Sequence, residues 1–524
     1  MTNLSDIECD DDDDEINDLN SQHIDLNTIK TEMIEKEFDD EEDDEDENES
    51  SSDSDYMDDD DDDGVEDGDF DQDKDRDCER KIETLPSKQI YVPNVTKLTA
   101  EDDTEKLECD YSAYVVYHKA ETGFPCLSFD IIEDHFGSGD QRAQDFPLSC
   151  YLVAGTQADK DHLNRLMVLK FFNMHSVSKK SNDDDEDNDD CEDEEEEIVP
   201  DLNCSSIPHP GCVNRVRVKR IDDKVIAASW SEHGSVHLWD ITNALNSSED
   251  YKSSKEFTKQ NVKTRPLFSF NGHRSQGYGL DWSSVEDGTL ASGGNKHIFI
   301  WKPSNHGWYV DQPPLIGHED SVEDIQWSPN ESNILGSCSI DRSVRIWDIR
   351  NRKQSALIIP ESHQSDVNVI SWNHVEKAFI ISGGDDGVIK IWDLRQVRRK
   401  LDPNGSSSAK PVAVFKQHHG PITSVDWHKT DGTVFAASSE DHQITQWDLA
   451  VEKDDDVHSS NVKEKNDHSQ ADEQEKIVRQ LPPQLLFIHQ GQKEIKEIHW
   501  HKQIPGLLIS TASTGFDIFR TVSV

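Results

Sequence analysis

The sequence predicts an all-β chain assembled by copying one antiparallel β-meander. Two observations carry this: a repeated spacing of landmark residues, and alternation of apolar residues over strand length between turns. The clearest copy is residues 317–348, GHEDSVEDIQWSPNESNILGSCSIDRSVRIWD. His318 stands nine residues before Trp327, and Asp341 six before Trp347. His363 and Trp372 repeat the first interval, Asp386 and Trp392 the second, and His418, Trp427, Asp441 and Trp447 keep both. Between landmarks the apolar residues alternate and break at turns such as Ser328-Pro329, the period-two pattern of half-buried strands. A fixed period of this length marks units that bury their apolar faces against one another.

Upstream copies are less regular. His273 and Trp282 fit the first interval, and Asn295 and Trp301 fit the second with a different polar turn residue. The unit from Val225 to Asp240 ends in Trp239-Asp240, with His233 at the Asp position and His209 before it. These landmarks resemble those of WD-repeat proteins from about residue 110 onward, and the resemblance implies a β-propeller of four-stranded blades. Phe519 takes the next Trp position and gives a sixth blade. Pro125 to Ile132, Cys150 to Gly155 and Arg165 to Phe172 read as strands of a seventh. The last blade lacks a fourth strand, and an open edge invites aggregation, so the strand-forming stretch 111–118 is expected to complete it.

Charge divides the chain. It has 52 basic and 110 acidic side chains and a net charge of −58. Residues 1–80 hold 39 acidic against 5 basic side chains, and residues 183–197 hold 13 acidic and none basic. Such runs repel themselves and have little to bury, so a disordered acidic tail over 1–85 and a linker over 86–110 are expected before a propeller spanning 111–524. Ile24 to Phe38 has the spacing of a short amphipathic helix, and Ser50, Ser51, Ser52 and Ser54 lie in acidic surroundings that suit an acidophilic kinase. Insertions are expected at 176–206 (acidic), 243–264 (polar, with a short helix) and 451–480 (charged), each after a meander has ended. This balance excludes direct nucleic-acid binding as an expectation and favours basic protein partners. Nine Cys without paired or zinc-type spacing read as reduced thiols, and no apolar run approaches membrane-span length.

His318, Ser337, Asp341 and Trp347 invite a catalytic reading. The same set returns as His363, Ser382, Asp386 and Trp392, and an active site is not normally copied into consecutive repeats. A buried hydrogen-bond network is the better account. Where alanine holds the Ser position, at Ala291 and Ala437, the network is expected to be weaker. No GxSxG, GxxxxGK[ST] or HExxH pattern is present, Asp385-Asp386-Gly387 reads as a hairpin turn, and neither cofactor, metal nor enzymatic activity is expected.

Candidate binding residues lie five positions after each repeat's His: Asn214, Tyr278, Glu323, Asn368 and Thr423. Their predecessors, Val213, Gly277, Val322, Val367 and Ile422, are apolar or small and should pack within the blades, so alternation directs the polar set to the channel mouth. Amide, phenol and carboxylate groups there suit a Lys- or Arg-bearing peptide. GHRSQGYGLDW, GHEDSVEDIQW and SDVNVISW resemble segments of the histone-binding, retinoblastoma-binding type of WD-repeat protein. That resemblance implies an H3-tail site at Tyr278, Glu323 and Asn368. LPPQLLFIHQG is similar to that family's proline loop, which implies a helix-gripping groove for histone H4 at Pro482, Pro483, Leu485 and Phe487, with TAEDDTEKLE at 99–108 as a weak helical partner.

Taken whole, YHKAETGFPCLSFDI, PHPGCVNRVRV, SGGDDGVIKIWDLRQ and GFDIFRTVSV resemble the glutamate-rich WD-repeat family and its yeast ribosome-assembly counterpart. The resemblance implies a monomeric nuclear and nucleolar factor that chaperones a basic large-subunit ribosomal protein (the universal L-three family) for 60S assembly. Histone H3–H4 chaperoning is the first alternative. The second is a cullin-4 ligase substrate receptor, since Trp347-Asp348-Ile349-Arg350 and Trp392-Asp393-Leu394-Arg395 fit the WDxR box and would present Arg350 and Arg395 to the ligase adaptor. Arg398-Arg399-Lys400 is too short for a nuclear signal.

Overall fold

The computed structural model describes residues 109–177, 200–397, 409–452 and 481–524. Expectations placed on the tail and linker, on 99–108, on 183–197 and on Arg398-Arg399-Lys400 lie outside these residues.

The strands form seven antiparallel sheets in a ring. Blade 1 consists of Cys126–Ile132, Leu148–Thr156, Arg165–Met174 and Asp201–Pro208. Blades 2 to 6 begin with Val213–Ile221, Gly279–Trp282, Val322–Trp327, Val367–Trp372 and Ile422–Trp427. Blade 7 consists of Glu497–Trp500, Leu507–Ala512, Gly515–Thr521 and the N-terminal strand Tyr114–Ala120. That last pairing is antiparallel, with Tyr117 opposite Phe519 and Ala120 opposite Phe516. Residues Tyr111–Ala113, within the stretch read as strand, form a 3-10 turn capped by Asp110, and the strand continues two residues past His118.

Packing follows from the repeat. Trp239, Trp301, Trp347, Trp447 and Phe519 are fully buried, as is Val116 of the closing strand. Neighbouring blades approach closely at glycines: a Cβ on Gly155 would lie 2.2 Å from Val213, and one on Gly383 would lie 2.5 Å from Ile422. Blade 3 carries an extra hairpin strand, Gly307–Val310, and a short Leu315–Ile316 pairing.

A second system, invisible in the repeat, stitches the inner strands together. The first strand of a blade has an unpaired edge at the channel, and buried N–H groups there need acceptors. Side chains of the preceding blade supply them. Ser128 Oγ accepts from Val216 N (3.0 Å), and Asp130 Oδ2 from Val218 N (2.8 Å). Asp281 accepts from Trp327 N (2.7 Å), Asp324 from Ile370 N (3.1 Å), Gln326 from Trp372 N (2.8 Å) and Asp426 from Trp500 N (3.0 Å). Glu497 Oε2 closes the circle by accepting from Phe129 N (2.8 Å) and Ser128 Oγ (2.7 Å).

The landmark sets are the expected networks. His318 Nδ1 meets Asp341 at 2.8 Å and its Nε2 meets Ser337 at 2.7 Å, while Trp347 Nε1 donates to Ser337 at 2.8 Å. His363, Asp386, Ser382 and Trp392 reproduce this in blade 5. The weaker networks expected at Ala291 and Ala437 are not found. In blade 3 the hairpin turn, Asn295-Lys296, is short, and the register moves Ser292 into place, bonding His273 (2.8 Å) and Trp301 (2.8 Å). In blade 6 Thr445 does so from the neighbouring strand, with 2.9 Å to His418 and 2.7 Å from Trp447. In blade 2 His209 bonds Ser229 and Gly211 O, and His233 turns outward to Asp161.

Burial makes these histidines pH-sensitive. Burial pushes His209, His273 and His501 down to about 3 and His237 to about 4. They stay neutral in the fold, whereas the unfolded chain protonates them near about 6.5. Stability should therefore be complete above about pH 6.5 and fall as pH drops toward 4, by up to ~1.4 kcal/mol per pH unit for each histidine. Asp281, raised by burial to about 7, works in the opposite direction over the same window, but is one group against four. The thermal midpoint at pH 5 is expected to lie below that at pH 7; equal midpoints would contradict this.

Candidate protein-binding rim and the opposite face

Strand direction alternates within a blade, so the connections leaving second and fourth strands open on one face and those leaving first and third strands on the other. The five rim residues sit where the first strands begin, on the former face. Asn214, Glu323, Asn368 and Thr423 each fall at a register shift between first and second strands. The equivalent shift in blade 1 falls at Leu127. A bulge inserts one residue and re-aims its side chain, which is why these positions turn toward the mouth. Tyr278 immediately precedes its strand. Val213, Val322, Val367 and Ile422 are fully buried between blades.

The five are not equivalent. Asn214 is buried, with an unpartnered Nδ2, so it lies beneath the surface instead of on it. Thr423 bonds Ser438 (2.9 Å), and Asn368 donates to Asp385 (2.7 Å) and to Ile422 O (3.1 Å). Tyr278 and Glu323 remain half-buried at the mouth and feel each other. Burial and the Glu323 charge push the Tyr278 phenol up against the pull of Arg215, whose Nε donates to Tyr278 O at 2.9 Å. Burial raises the Glu323 carboxyl, with Asp366 and Asp324 adding to the rise. Asp366 is raised in turn by burial, Asp385 and Asp320, against Arg342. Blades 4 and 5 thus gather several interacting carboxylates about one arginine, a field that favours an incoming cation. Leu127 and Lys496 hold the same position in blades 1 and 7; neither follows a landmark His, and counting four residues back from Trp500 would have found Lys496.

Below the rim, Glu497 Oε1 binds Arg215 Nη1 (2.5 Å) and Arg217 Nη2 (2.8 Å). Burial alone would raise this carboxyl; the two guanidiniums and His499 hold it well below the usual carboxylate range.

The proline stretch meets the closing strand. Leu485–Gln490 is the outer strand of blade 6, and Phe487 packs edge-on against Tyr114 at 5.3 Å, with Tyr117 stacked on Tyr114 at 4.8 Å. Tyr111 beside them is half-exposed, as are Pro482 and Leu485, and Pro483 is exposed. Phe487 and Leu485 thus serve partly as packing.

The insertions belong to the other face. The described ends of all three lie between third and fourth strands, in blades 1, 2 and 6. They interrupt blades instead of separating them, and Asp201–Pro208, placed within the first insertion by the sequence, is the outer strand of blade 1. Arg350 and Arg395 follow third strands and share this face. Both are exposed, each held by its own turn: Arg350 on Asp348 (2.7 Å) and Arg395 on Asp393 (2.9 Å).

This architecture defines a WD-repeat propeller with a site for protein partners. The WD domain, G-beta repeat family matches residues 312–348, 355–393 and 409–448, and the family described as histone-binding protein RBBP4, of the CAF1 complex, matches residues 104–175. Among relatives, Protein HEAT STRESS TOLERANT DWD 1 of Arabidopsis thaliana is 44% identical over 460 residues, 85% of this chain and 93% of that protein. Ribosome assembly protein rrb1 of Schizosaccharomyces pombe is 39% identical over 85% of this chain and 87% of its own length. Glutamate-rich WD repeat-containing protein 1 of Dictyostelium discoideum is 40% identical over 80% and 83% respectively. The chain belongs to this family of glutamate-rich, rrb1-type WD-repeat proteins.

Proposed function

We propose that the chain is a non-enzymatic ribosome assembly factor that shields a basic large-subunit ribosomal protein of the L-three family in the nucleus and nucleolus. The near full-length likeness to a relative named for ribosome assembly carries the reading. The carboxylates around Glu323, Asp366 and Asp385 supply a mouth for Lys or Arg side chains, and the acidic runs supply long-range attraction, screened over about 8 Å at physiological ionic strength. Because rim and insertions open on opposite faces, a client held at the rim meets the acidic insertion only by reaching around a blade. The match to the histone-binding family over residues 104–175 supports H3–H4 as a second client class. The relative named for a DWD feature, with exposed Arg350 and Arg395, supports a ligase-adaptor contact.

Affinity purification of the full chain from its native source separates these. Stoichiometric recovery of one large-subunit ribosomal protein supports the first; recovery of H3–H4 or of the cullin-4 adaptor in its place contradicts it.

A further inference from the structure

The strongest cationic surface on the folded chain is one helix in blade 2. Tyr251–Gln260 is capped by Asp250, whose side chain accepts from Ser253 N. Its inner face turns to blade 1, where Thr258 Oγ1 accepts from Ser206 N (3.0 Å) and Ser254 Oγ meets Ser205 Oγ (3.1 Å). Phe257 packs beside them against a buried cluster. On the outer face stand Lys252, Lys255, Lys259 and, one turn beyond the helix, Lys263, spaced by three and four as a helical stripe requires. All four, and Arg265, are exposed, and none forms an ion pair with a described carboxylate. Lys255 lies over the Tyr251 ring at 5.5 Å. Five cations without a described ion-pair partner are anomalous in a chain of net charge −58.

We propose that this stripe is the docking surface for the acidic run 183–197 of the same chain. The chain leaves blade 1 after Val177 and returns at Asp201, the first residue of the strand on which the helix lies. Asn203 of that strand donates to Ser248 O (3.0 Å), just before the helix begins. Only residues 198–200 separate Glu197 from Asp201, and three residues span at most ~10 Å. The acidic run is therefore tethered at the start of the stripe, and a short tether gives an effective concentration in the millimolar range. Exposed ion pairs are individually weak, so the contact depends on several pairs formed at once and is dissolved by salt. The helix N-terminus faces the same end and favours negative charge. With 13 acidic side chains against five cations, the docked run keeps an excess of negative charge for other basic groups. This contact does not depend on which client the rim takes.

Amine-reactive labelling of the full-length chain, read by peptide mass spectrometry, tests it. Compared with wild type, a variant with the Asp and Glu of 183–197 changed to Asn and Gln should show several-fold faster labelling of Lys252, Lys255, Lys259 and Lys263, with exposed Lys353 unchanged. Carbodiimide coupling of the wild-type monomer should join these lysines to residues 183–197 at low salt and not at high salt. Unchanged labelling, or coupling found only between two molecules, would overturn the proposal. So would protection of the stripe by homopolymeric RNA with the acidic run in place, which would make it a phosphate-binding surface.

Discussion

Replacing Glu497 with Ala should destabilise the folded chain by about 3–5 kcal/mol, because it strands two buried guanidiniums and two donors at once. Glu497 is buried in the first strand of the last blade. Its Oε1 meets Arg215 and Arg217 of blade 2, and its Oε2 meets Ser128 Oγ and Phe129 N of blade 1. The side chain thus joins three blades across the point where the chain must close on itself. Removing one partner of a buried pair leaves the other charge desolvated, and the unpaired N–H of Phe129 adds to the loss. Glu497→Gln keeps an acceptor and should lose less. Denaturant midpoints for the two variants check this; a loss under about 1 kcal/mol for alanine would mean that the channel network contributes little.

A chain beginning at Gly123 should fail to fold cooperatively. The strand Tyr114–Ala120 buries Tyr114, Val116 and Tyr117, and each such side chain contributes roughly 1.5–3 kcal/mol on burial. Its loss also removes the backbone partners of Gly515–Thr521 and the hydroxyl contacts of Tyr114 with His489 (2.8 Å) and Tyr117 with Asp517 (3.2 Å). Against a typical net stability of about 5–15 kcal/mol, that sum leaves little. The truncated chain should elute as aggregates and lack a sharp thermal transition, whereas one beginning at residue 109 should behave as the full chain does. A sharp, unshifted transition for the shorter chain would show that the ring does not need this clasp.

The repeat made most of the fold legible. His–Trp and Asp–Trp intervals are local, so a single chain displays them, and Phe519 could be placed by counting. Blade 1 lacks those landmarks, but its strand alternation sufficed. What escaped was non-local. Asp130, Asp281, Asp324 and Asp426 act on the backbone of the next blade, dozens of residues away, and no spacing in the chain marks them. Ala291 misled because the shortened turn at Asn295-Lys296 shifts the register by one residue, which places Ser292 in the network. The rim was found in outline through the position after each His. A bulge does not fix depth, however, so Asn214 is buried while Glu323 remains at the mouth. The separation of rim and insertions onto opposite faces follows only once the insertions are seen to interrupt blades between third and fourth strands.

The central claim is that a basic client is held at the rim through the carboxylates around Glu323. The most direct measurement is the affinity of the purified client for wild type and for Glu323→Lys at fixed ionic strength. The account predicts binding weakened by about tenfold or more, since reversing a half-buried charge in a desolvated mouth costs on the order of 1.4 kcal/mol or more. Equal affinity for the two proteins would contradict it and move the site off this face.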